Sequence, residues 1–283
     1  MPRYKLTLEY DGSPFVGWQR QANGLSVQEA LERALESLTG ERASIRGAGR
    51  TDSGVHALGQ VAHADLAKAW RPSILRDGLN AHLRPHPIAI LSAKIVPGSF
   101  DARFSAIRRH YLYRIINRRA PLTVAHGRAW LVGRPLDIGA MRKAASHLIG
   151  RHDFSTFRAA ECQAASPIRT LDRLDIDIGA EAGEIRFLAS ARSFLHTQVR
   201  SMVGSLVHAG TGKWSERDFI AARDARDRRC CGVIAPPQGL YLIHVDYDAA
   251  AEDVPGAAED LEPGPAGMPP LSPSGGHGLS PPD

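Results

Sequence analysis

Segments of alternating apolar and polar residues constrain the fold of this chain most, because they predict half-buried β-strands. The segment RYKLTLEY (3–10) places Tyr4, Leu6, Leu8 and Tyr10 on one face, and GLYLIHVDY (239–247) alternates in the same way. Five further segments have the composition of strands. They are HALGQVAHAD (56–65), IAILSAKIV (88–96), HYLYRII (110–116), LDRLDIDI (171–178) and EIRFLASAR (184–192).

Helical segments separate these strands. In SVQEALERALESLTG (26–40), Ser26 and Glu29 have the spacing of a capping box, the apolar residues form a helical stripe, and Gly40 is suited to end the helix. The other predicted helices are SILRDGLN (73–80), DIGAMRKAASHLIG (137–150) with Asp137 as its N-cap, FLHTQVRSMVGSLVHAG (194–210), and a shorter helix capped by Ser215.

The order of these elements predicts an α+β protein of two lobes, residues 1–105 and 106–248. We expect each lobe to be a mainly antiparallel sheet with helices on one side, with the active-site cleft between the lobes. Residues 249–283 contain eight prolines and six glycines but few large apolar residues. Such a segment cannot bury enough apolar surface to repay its loss of entropy. We therefore expect a disordered C-terminal tail without catalytic residues.

Charge indicates the kind of partner. Six of the 30 acidic residues but none of the 35 basic residues follow Asp248, so residues 1–248 carry a formal charge of +11. This excess favours a nucleic-acid partner. The three cysteines form neither a disulfide framework nor a zinc motif, and neither a membrane span nor a signal peptide is recognisable, so we expect a cytoplasmic protein.

The segment GAGRTDSGVHALGQVAH (47–63) is the strongest candidate for a functional loop. It lacks the third glycine of a dinucleotide-binding motif, and GTGKW (210–214) lacks two residues of a phosphate-binding loop. The histidines have no metal-ligand spacing. These segments therefore predict no dinucleotide site, phosphate-binding loop or metal site.

Asp52 in this loop admits two interpretations. A lone aspartate often only stabilises a turn through its own backbone. However, Arg50 precedes it by two residues, and the glycines of the loop allow another backbone to approach closely. A carboxylate beside an arginine stays ionised at neutral pH, which suits a nucleophile. The absence of a second prominent carboxylate argues against an ordinary glycosidase.

The sequence resembles the tRNA pseudouridine synthase A family. Blocks similar to that family occur in order from Tyr10 to Asp248: YDGSPFVGWQRQ, SVQEALE, GAGRTDSGVHALGQVAH, FDARFSAIRRHYLYRI, DFSTFR, FLHTQVRSMVGSL and GLYLIHVDY. The resemblance implies a homodimeric enzyme without cofactor that converts uridines at positions 38 to 40 of the tRNA anticodon arm to pseudouridine.

The resemblance also implies roles for particular residues. Asp52 matches the catalytic aspartate, and Arg50 matches an arginine implicated in displacing the target base. Tyr111 matches the tyrosine that stacks on uracil, Arg200 the basic residue paired with the aspartate, and Leu240 an apolar wall of the pocket. From the residues alone, Arg200 could be an exposed helix arginine, and Tyr111 and Leu240 ordinary strand core.

Two other functions stay open at this point. A non-catalytic RNA-binding or tRNA-folding module needs the basic surface but not Asp52. A nucleosidase-type hydrolase breaks the same glycosidic bond but releases the base. The sequence also leaves open whether Asp52 attacks ribose C1′, attacks uracil C6 or removes a ribose proton.

Overall fold

The structure is a computed structural model that describes residues 1–252. The strands are β1 Arg3–Tyr10, β2 Arg46–Gly47, β3 His56–Asp65, β4 Ile88–Val96, β5 Ala106–Asn117, β6 Trp130–Val132, β7 Gly150–Asp153, β8 Ile168–Ile178, β9 Glu184–Ala191 and β10 Leu240–Tyr247. The helices are α1 Val27–Thr39, α2 Pro72–Leu83, α3 Ile138–Ser146, α4 Gln198–Gly210, α5 Glu216–Asp224 and α6 Ala249–Glu252.

These strands form one continuous sheet in the order β4-β1-β3-β10-β5-β9-β8-β7, with β2 beside β3 and β6 beside β5. Most pairs are antiparallel, whereas β10 runs parallel to β3 and β6 runs parallel to β5. The predicted α+β class with a mainly antiparallel sheet is confirmed. Strand β10 lies between β3 and β5 and therefore joins the strands of the two predicted lobes, while the lobe boundary at residue 105 stays a prediction.

The ends of α1 follow from its sequence. The Ser26 hydroxyl accepts a 3.1 Å hydrogen bond from the backbone N–H of Glu29, as predicted for the N-cap. Gly40 follows the last turn with a φ of 74°, a left-handed conformation in which glycine carries no steric cost. The stripe of apolar side chains on α1 is buried in the hydrophobic core: Val27, Ala30, Leu31, Ala34 and Leu35.

Helix α4 begins later than the sequence predicts. The pattern from residue 194 favours a helix, but Thr197 has a φ of 60°, which is not helical, and the helix starts at Gln198. Residues 194–197 therefore form a bend before the helix. This bend matters because it carries His196 next to the candidate site.

The predicted disordered tail needs one correction. Residues Ala249–Glu252 form the short helix α6, and the Glu252 carboxylate pairs with the Lys5 ammonium group on β1. The Lys5 ammonium also lies 4.7 Å from the centre of the Tyr247 ring. These contacts stabilise the first turn beyond β10. The rest of the predicted tail, residues 253–283, lies outside the described residues.

Candidate active site

The loop that carries Asp52 connects β2 to β3 and is held first by the sheet. The Ala48 N–H donates a 2.7 Å hydrogen bond to the Val61 carbonyl on β3. The Gln60 side-chain amide, which is fully buried, donates a 2.8 Å hydrogen bond to the Gly49 carbonyl. These two hydrogen bonds attach the start of the loop to β3, the strand that follows it.

Thr51 is held from the other side. Its hydroxyl lies 2.9 Å from the Tyr10 hydroxyl at the end of β1, and its carbonyl accepts a 3.0 Å hydrogen bond from the Trp18 N–H. At the turn after Asp52, Gly54 has a φ of 76°, which favours glycine. The loop is therefore fixed on both sides of Asp52, with a tight turn directly after it.

Arg109 holds three chain segments together beneath this loop. It is on β5 and only 7% exposed, yet its guanidinium makes no ion pair within residues 1–252. It donates instead to four backbone carbonyls, at 2.5 to 3.2 Å, those of Ala48, Arg103, Ala106 and Arg192. Burial lowers the pKa of Arg109 from its ordinary value, but the group stays charged at neutral pH. Arg109 therefore anchors the loop through Ala48.

Asp52 is bound by two basic side chains from the α4 region. Arg200 donates a 2.7 Å hydrogen bond from a terminal guanidinium nitrogen to Asp52 Oδ2. The His196 Nε2 atom lies 3.1 Å from Asp52 Oδ1. Arg200 is itself held by a 2.8 Å hydrogen bond from its Nε to the Ala235 carbonyl. Each oxygen of the Asp52 carboxylate thus has its own partner.

The pKa of Asp52 results from opposing effects. Burial by itself raises the pKa, because a carboxylate loses hydration in a partly dry site. The hydrogen bonds and charges of His196 and Arg200 outweigh this effect and place the pKa below its ordinary value. Asp52 is therefore ionised at neutral pH. An ionised carboxylate in a partly buried site can act as a nucleophile or as a base.

His196 is a site residue that the sequence interpretation missed. It precedes Arg200 by four positions, a spacing that would place the two side chains on one face of a helix. The helix begins only at Gln198, and the turn at Thr197 brings His196 to Asp52 instead. The hydrogen bond to Asp52 raises the pKa of His196 above its ordinary value.

Tyr111 lies on β5 against the loop. It is 8% exposed, and its ring packs edge-on against Phe194 with the ring centres 5.1 Å apart. A Cβ atom at Gly49 would lie 3.6 Å from the Tyr111 hydroxyl, so the hydroxyl approaches the backbone of the loop. Burial raises the pKa of Tyr111 far above its ordinary value, so the phenol is neutral before substrate binds.

Leu240 and Arg50 are placed differently from each other. Leu240 is buried at the start of β10 and pairs with Tyr113 on β5, so it shares a sheet face with Tyr111 two residues away. Arg50 is exposed on the loop and makes no hydrogen bond or ion pair within residues 1–252. Its guanidinium is thus available to an external anion.

Two other features bear on the kind of site. Among residues 1–252, no group of three or more His, Cys, Asp or Glu side chains has the arrangement of a metal site. Over the same residues, no helix combines the length and the apolar character needed to cross a membrane.

A family model and three similar proteins that match this chain are all named as tRNA pseudouridine synthases. A family described as tRNA pseudouridine synthase matches residues 7–105 and 144–248. A protein of Beijerinckia indica named tRNA pseudouridine synthase A is 68% identical over 253 residues, which cover 89% of this chain and 96% of that protein. A protein of Methylocella silvestris with the same name is 64% identical over 88% of this chain and 100% of that protein. A protein of Nitrobacter winogradskyi, again with this name, is 60% identical over 88% of this chain and 97% of that protein.

Proposed function

This chain belongs to the tRNA pseudouridine synthase family, and from that premise we propose that it isomerises uridines at positions 38 to 40 of the tRNA anticodon arm with Asp52 as the catalytic carboxylate. Family membership makes the protein an isomerase that converts uridine in tRNA to pseudouridine. The observation that carries the assignment of Asp52 is its carboxylate, ionised between Arg200 and His196 in a loop fixed on both sides.

The chemistry requires such a group. The N1–C1′ bond of uridine must break, the uracil must turn within the site, and a C5–C1′ bond must form while C5 loses its proton. An ionised carboxylate can assist by attacking ribose C1′, by attacking uracil C6 or by removing a ribose proton. All three routes need an unprotonated oxygen that faces the nucleotide, and the lowered pKa of Asp52 provides it.

The surrounding residues fit the other requirements. Arg200 is 15% exposed and holds Asp52 Oδ2, so it keeps the carboxylate charged and oriented. The Tyr111 ring stacks on the extruded uracil, in a pocket for which Leu240 supplies an apolar wall. Stacking of a base on an aromatic ring contributes roughly 1–3 kcal/mol. That amount offsets much of the cost of removing a base from its stack.

Access to a paired uridine requires base flipping. A nucleotide within the anticodon stem must leave the helix before it can reach Asp52, at a cost of a few kcal/mol. Arg50 is exposed on the same loop and makes no hydrogen bond or ion pair within residues 1–252. In this proposal Arg50 binds the backbone phosphate and fills the space that the base leaves.

The proposal includes a cytoplasmic homodimer. The support for a dimer is the resemblance of the sequence blocks to the family. The support for the compartment is the tRNA substrate together with the free thiols of Cys162, Cys230 and Cys231, which suit a reducing environment.

One assay on unmodified tRNA tests the function. A transcript labelled with tritium at uracil C5 is incubated with the enzyme, and released tritium and RNA mass are measured. We expect tritium release with no change in mass apart from the label. Mapping the product nucleotide tests whether it lies at positions 38 to 40.

The same assay separates the two other functions. An abasic site with free uracil identifies a hydrolase, and tRNA binding without either product identifies a binding module. Either result contradicts the proposal. Pseudouridine found only outside the anticodon arm contradicts the proposed positions but not the isomerase activity.

A further inference from the structure

The two partners of Asp52 differ in how firmly they are held. Arg200 is 15% exposed and is anchored at its Nε by the Ala235 carbonyl. The His196 side chain is 41% exposed, and within residues 1–252 its only partner at Nε2 is Asp52 Oδ1. Arg200 is therefore a fixed partner of Oδ2, whereas the imidazole can leave Oδ1 by rotating into solvent.

The backbone of His196, unlike its side chain, is held in place. Its carbonyl accepts a 3.0 Å hydrogen bond from the Ala159 N–H, and Thr197 directly after it adopts the left-handed conformation that begins α4. Movement of the imidazole is thus a side-chain rotation. Such rotations take picoseconds to nanoseconds in exposed residues and do not limit turnover.

A second carboxylate lies on the opposite side of the imidazole. The Glu161 Oε1 atom is 3.6 Å from His196 Nδ1, and the Glu161 side chain is 71% exposed. The titratable or charged groups that act on His196 are Asp52, Glu161 and the thiol of Cys162. His196 therefore lies between two carboxylates, one in the site and one at its rim.

We propose that His196 is a positioning residue that alternates between these two carboxylates: it holds Asp52 Oδ1 while the site is empty and turns toward Glu161 when the target nucleotide enters. Asp52 Oδ1 is then the oxygen that acts on the nucleotide, and Oδ2 stays on Arg200. This inference rests on the proposed function, because it assigns a purpose to a partner of the catalytic carboxylate.

The arrangement has a physical advantage. A partly buried carboxylate loses hydration, which raises its pKa, and in the empty site the imidazolium adds to Arg200 in keeping Asp52 ionised. An imidazolium that stayed on Oδ1 would block the reacting lone pair. Glu161 offers the cation a second ion pair nearby, so leaving Asp52 costs less than moving an unpaired charge.

The test compares single-turnover rates at subsaturating enzyme, which report the pKa values of the free enzyme, over a range of pH for four proteins: the parent, His196→Gln, Glu161→Gln and a control, His82→Gln. Glutamine keeps a hydrogen-bond donor at position 196 but removes the charge, and His82 is an exposed residue of α2. Thermal melts and tRNA affinities measured alongside show that each variant is folded and binds its substrate.

The two substitutions have different expected signatures. For His196→Gln, the acidic limb of the rate profile moves to higher pH by about one unit, the lower end of the effect of an opposite charge on a carboxyl group. The position of this limb, rather than the height of the plateau, is the readout for His196. For Glu161→Gln, the rate between the acidic limb and pH 6.5, where the raised pKa of His196 keeps the imidazole charged, falls about two- to fivefold, the effect of losing one exposed ion pair, and the acidic limb does not move up.

The outcomes separate this inference from the proposed function. A His196→Gln profile that superimposes on the parental profile, with Asp52→Asn inactive, overturns the role of His196 and leaves the catalytic assignment standing. Full activity of Asp52→Asn overturns the proposed function itself. A parental rate between the acidic limb and pH 6.5 in Glu161→Gln overturns the second position of the imidazole.

Discussion

Asp52 accepts a 2.7 Å hydrogen bond from Arg200, a residue 148 positions later in the chain. The loop after β2 carries the acidic residue and helix α4 carries the basic residue. The charge state of the site therefore depends on the packing of elements from both halves of the sequence. A carboxylate paired in this way is ionised before substrate arrives.

Asp52→Asn should abolish pseudouridine formation and leave tRNA affinity within about tenfold, because phosphate contacts supply most of the binding free energy. The amide keeps the size of the side chain and can still accept a hydrogen bond from Arg200, but it carries no charge. Tritium release and filter binding measure the two quantities. Asp77→Asn on α2, which is exposed, is the matched control and should behave as the parent. Turnover by a clean Asp52→Asn preparation contradicts the catalytic role.

Arg109→Leu should lower the free energy of unfolding by about 3 kcal/mol or more, because it leaves buried carbonyls without the charged donor that they share. Activity should fall as well, since Ala48 at the start of the loop that carries Asp52 loses its anchor. Urea denaturation measures the first effect. The control is Arg108→Leu, where the side chain is 47% exposed and makes only surface ion pairs. It should cost less than about 1 kcal/mol. Equal costs for the two variants would contradict the anchoring role of Arg109.

Tyr111→Phe should bind tRNA as the parent does but release C5 tritium more slowly, by roughly the 10²–10⁴ typical of a lost acid–base group. Because the pKa of Tyr111 is raised, its hydroxyl is neutral and can accept the C5 proton only while it passes its own proton to uracil N1, which gains a proton in the isomerisation. Tyr111→Ala removes the ring too and should also weaken binding of the flipped nucleotide. A parental rate for the Phe variant would restrict Tyr111 to stacking.

The pair of Asp52 and His196 should make stability depend on pH in a defined window. Asp52 has a lowered pKa, so its contribution is present above its ordinary value of 3.8 and is lost as the pH falls through the folded value. His196 has a raised pKa, so its contribution is complete below 6.5 and is lost as the pH rises through the folded value. His196→Gln should therefore lower the melting temperature most between these two values. A loss of equal size at pH 9 would contradict this ion pair.

Two truncations test the end of the chain. A protein that ends at Glu252 should fold and turn over as the full chain does, because the family resemblance stops before residues 253–283 and their composition lacks core residues. A protein that ends at Asp248 loses the pair of Lys5 with Glu252 as well and should be less stable by up to about 1 kcal/mol. Thermal melts and turnover distinguish the two. Loss of activity on removing only residues 253–283 would show that this segment contributes to the enzyme.

Local patterns in the sequence determined much of this protein. The alternation in RYKLTLEY predicted β1, and Ser26 and Gly40 predicted both ends of α1, because a strand face and a helix cap are each encoded by residues a few positions apart. The glycine-rich context of Asp52 singled out its loop for the same reason. The role of Asp52 itself came from the resemblance to a family and stays a prediction.

Only the tertiary structure decided which distant segments meet. Strand β10 is the last strand along the described chain, yet it lies between β3 and β5 in the sheet. No local pattern in the sequence specifies that position. His196 reaches Asp52 because Thr197 leaves the helical conformation, against the helical spacing of the segment. Arg109 looks like a surface residue beside Arg108, but the chain brings four carbonyls to it. Such contacts depend on the closure of long loops and on packing of the whole core, whereas periodicity and capping depend only on neighbours along the chain.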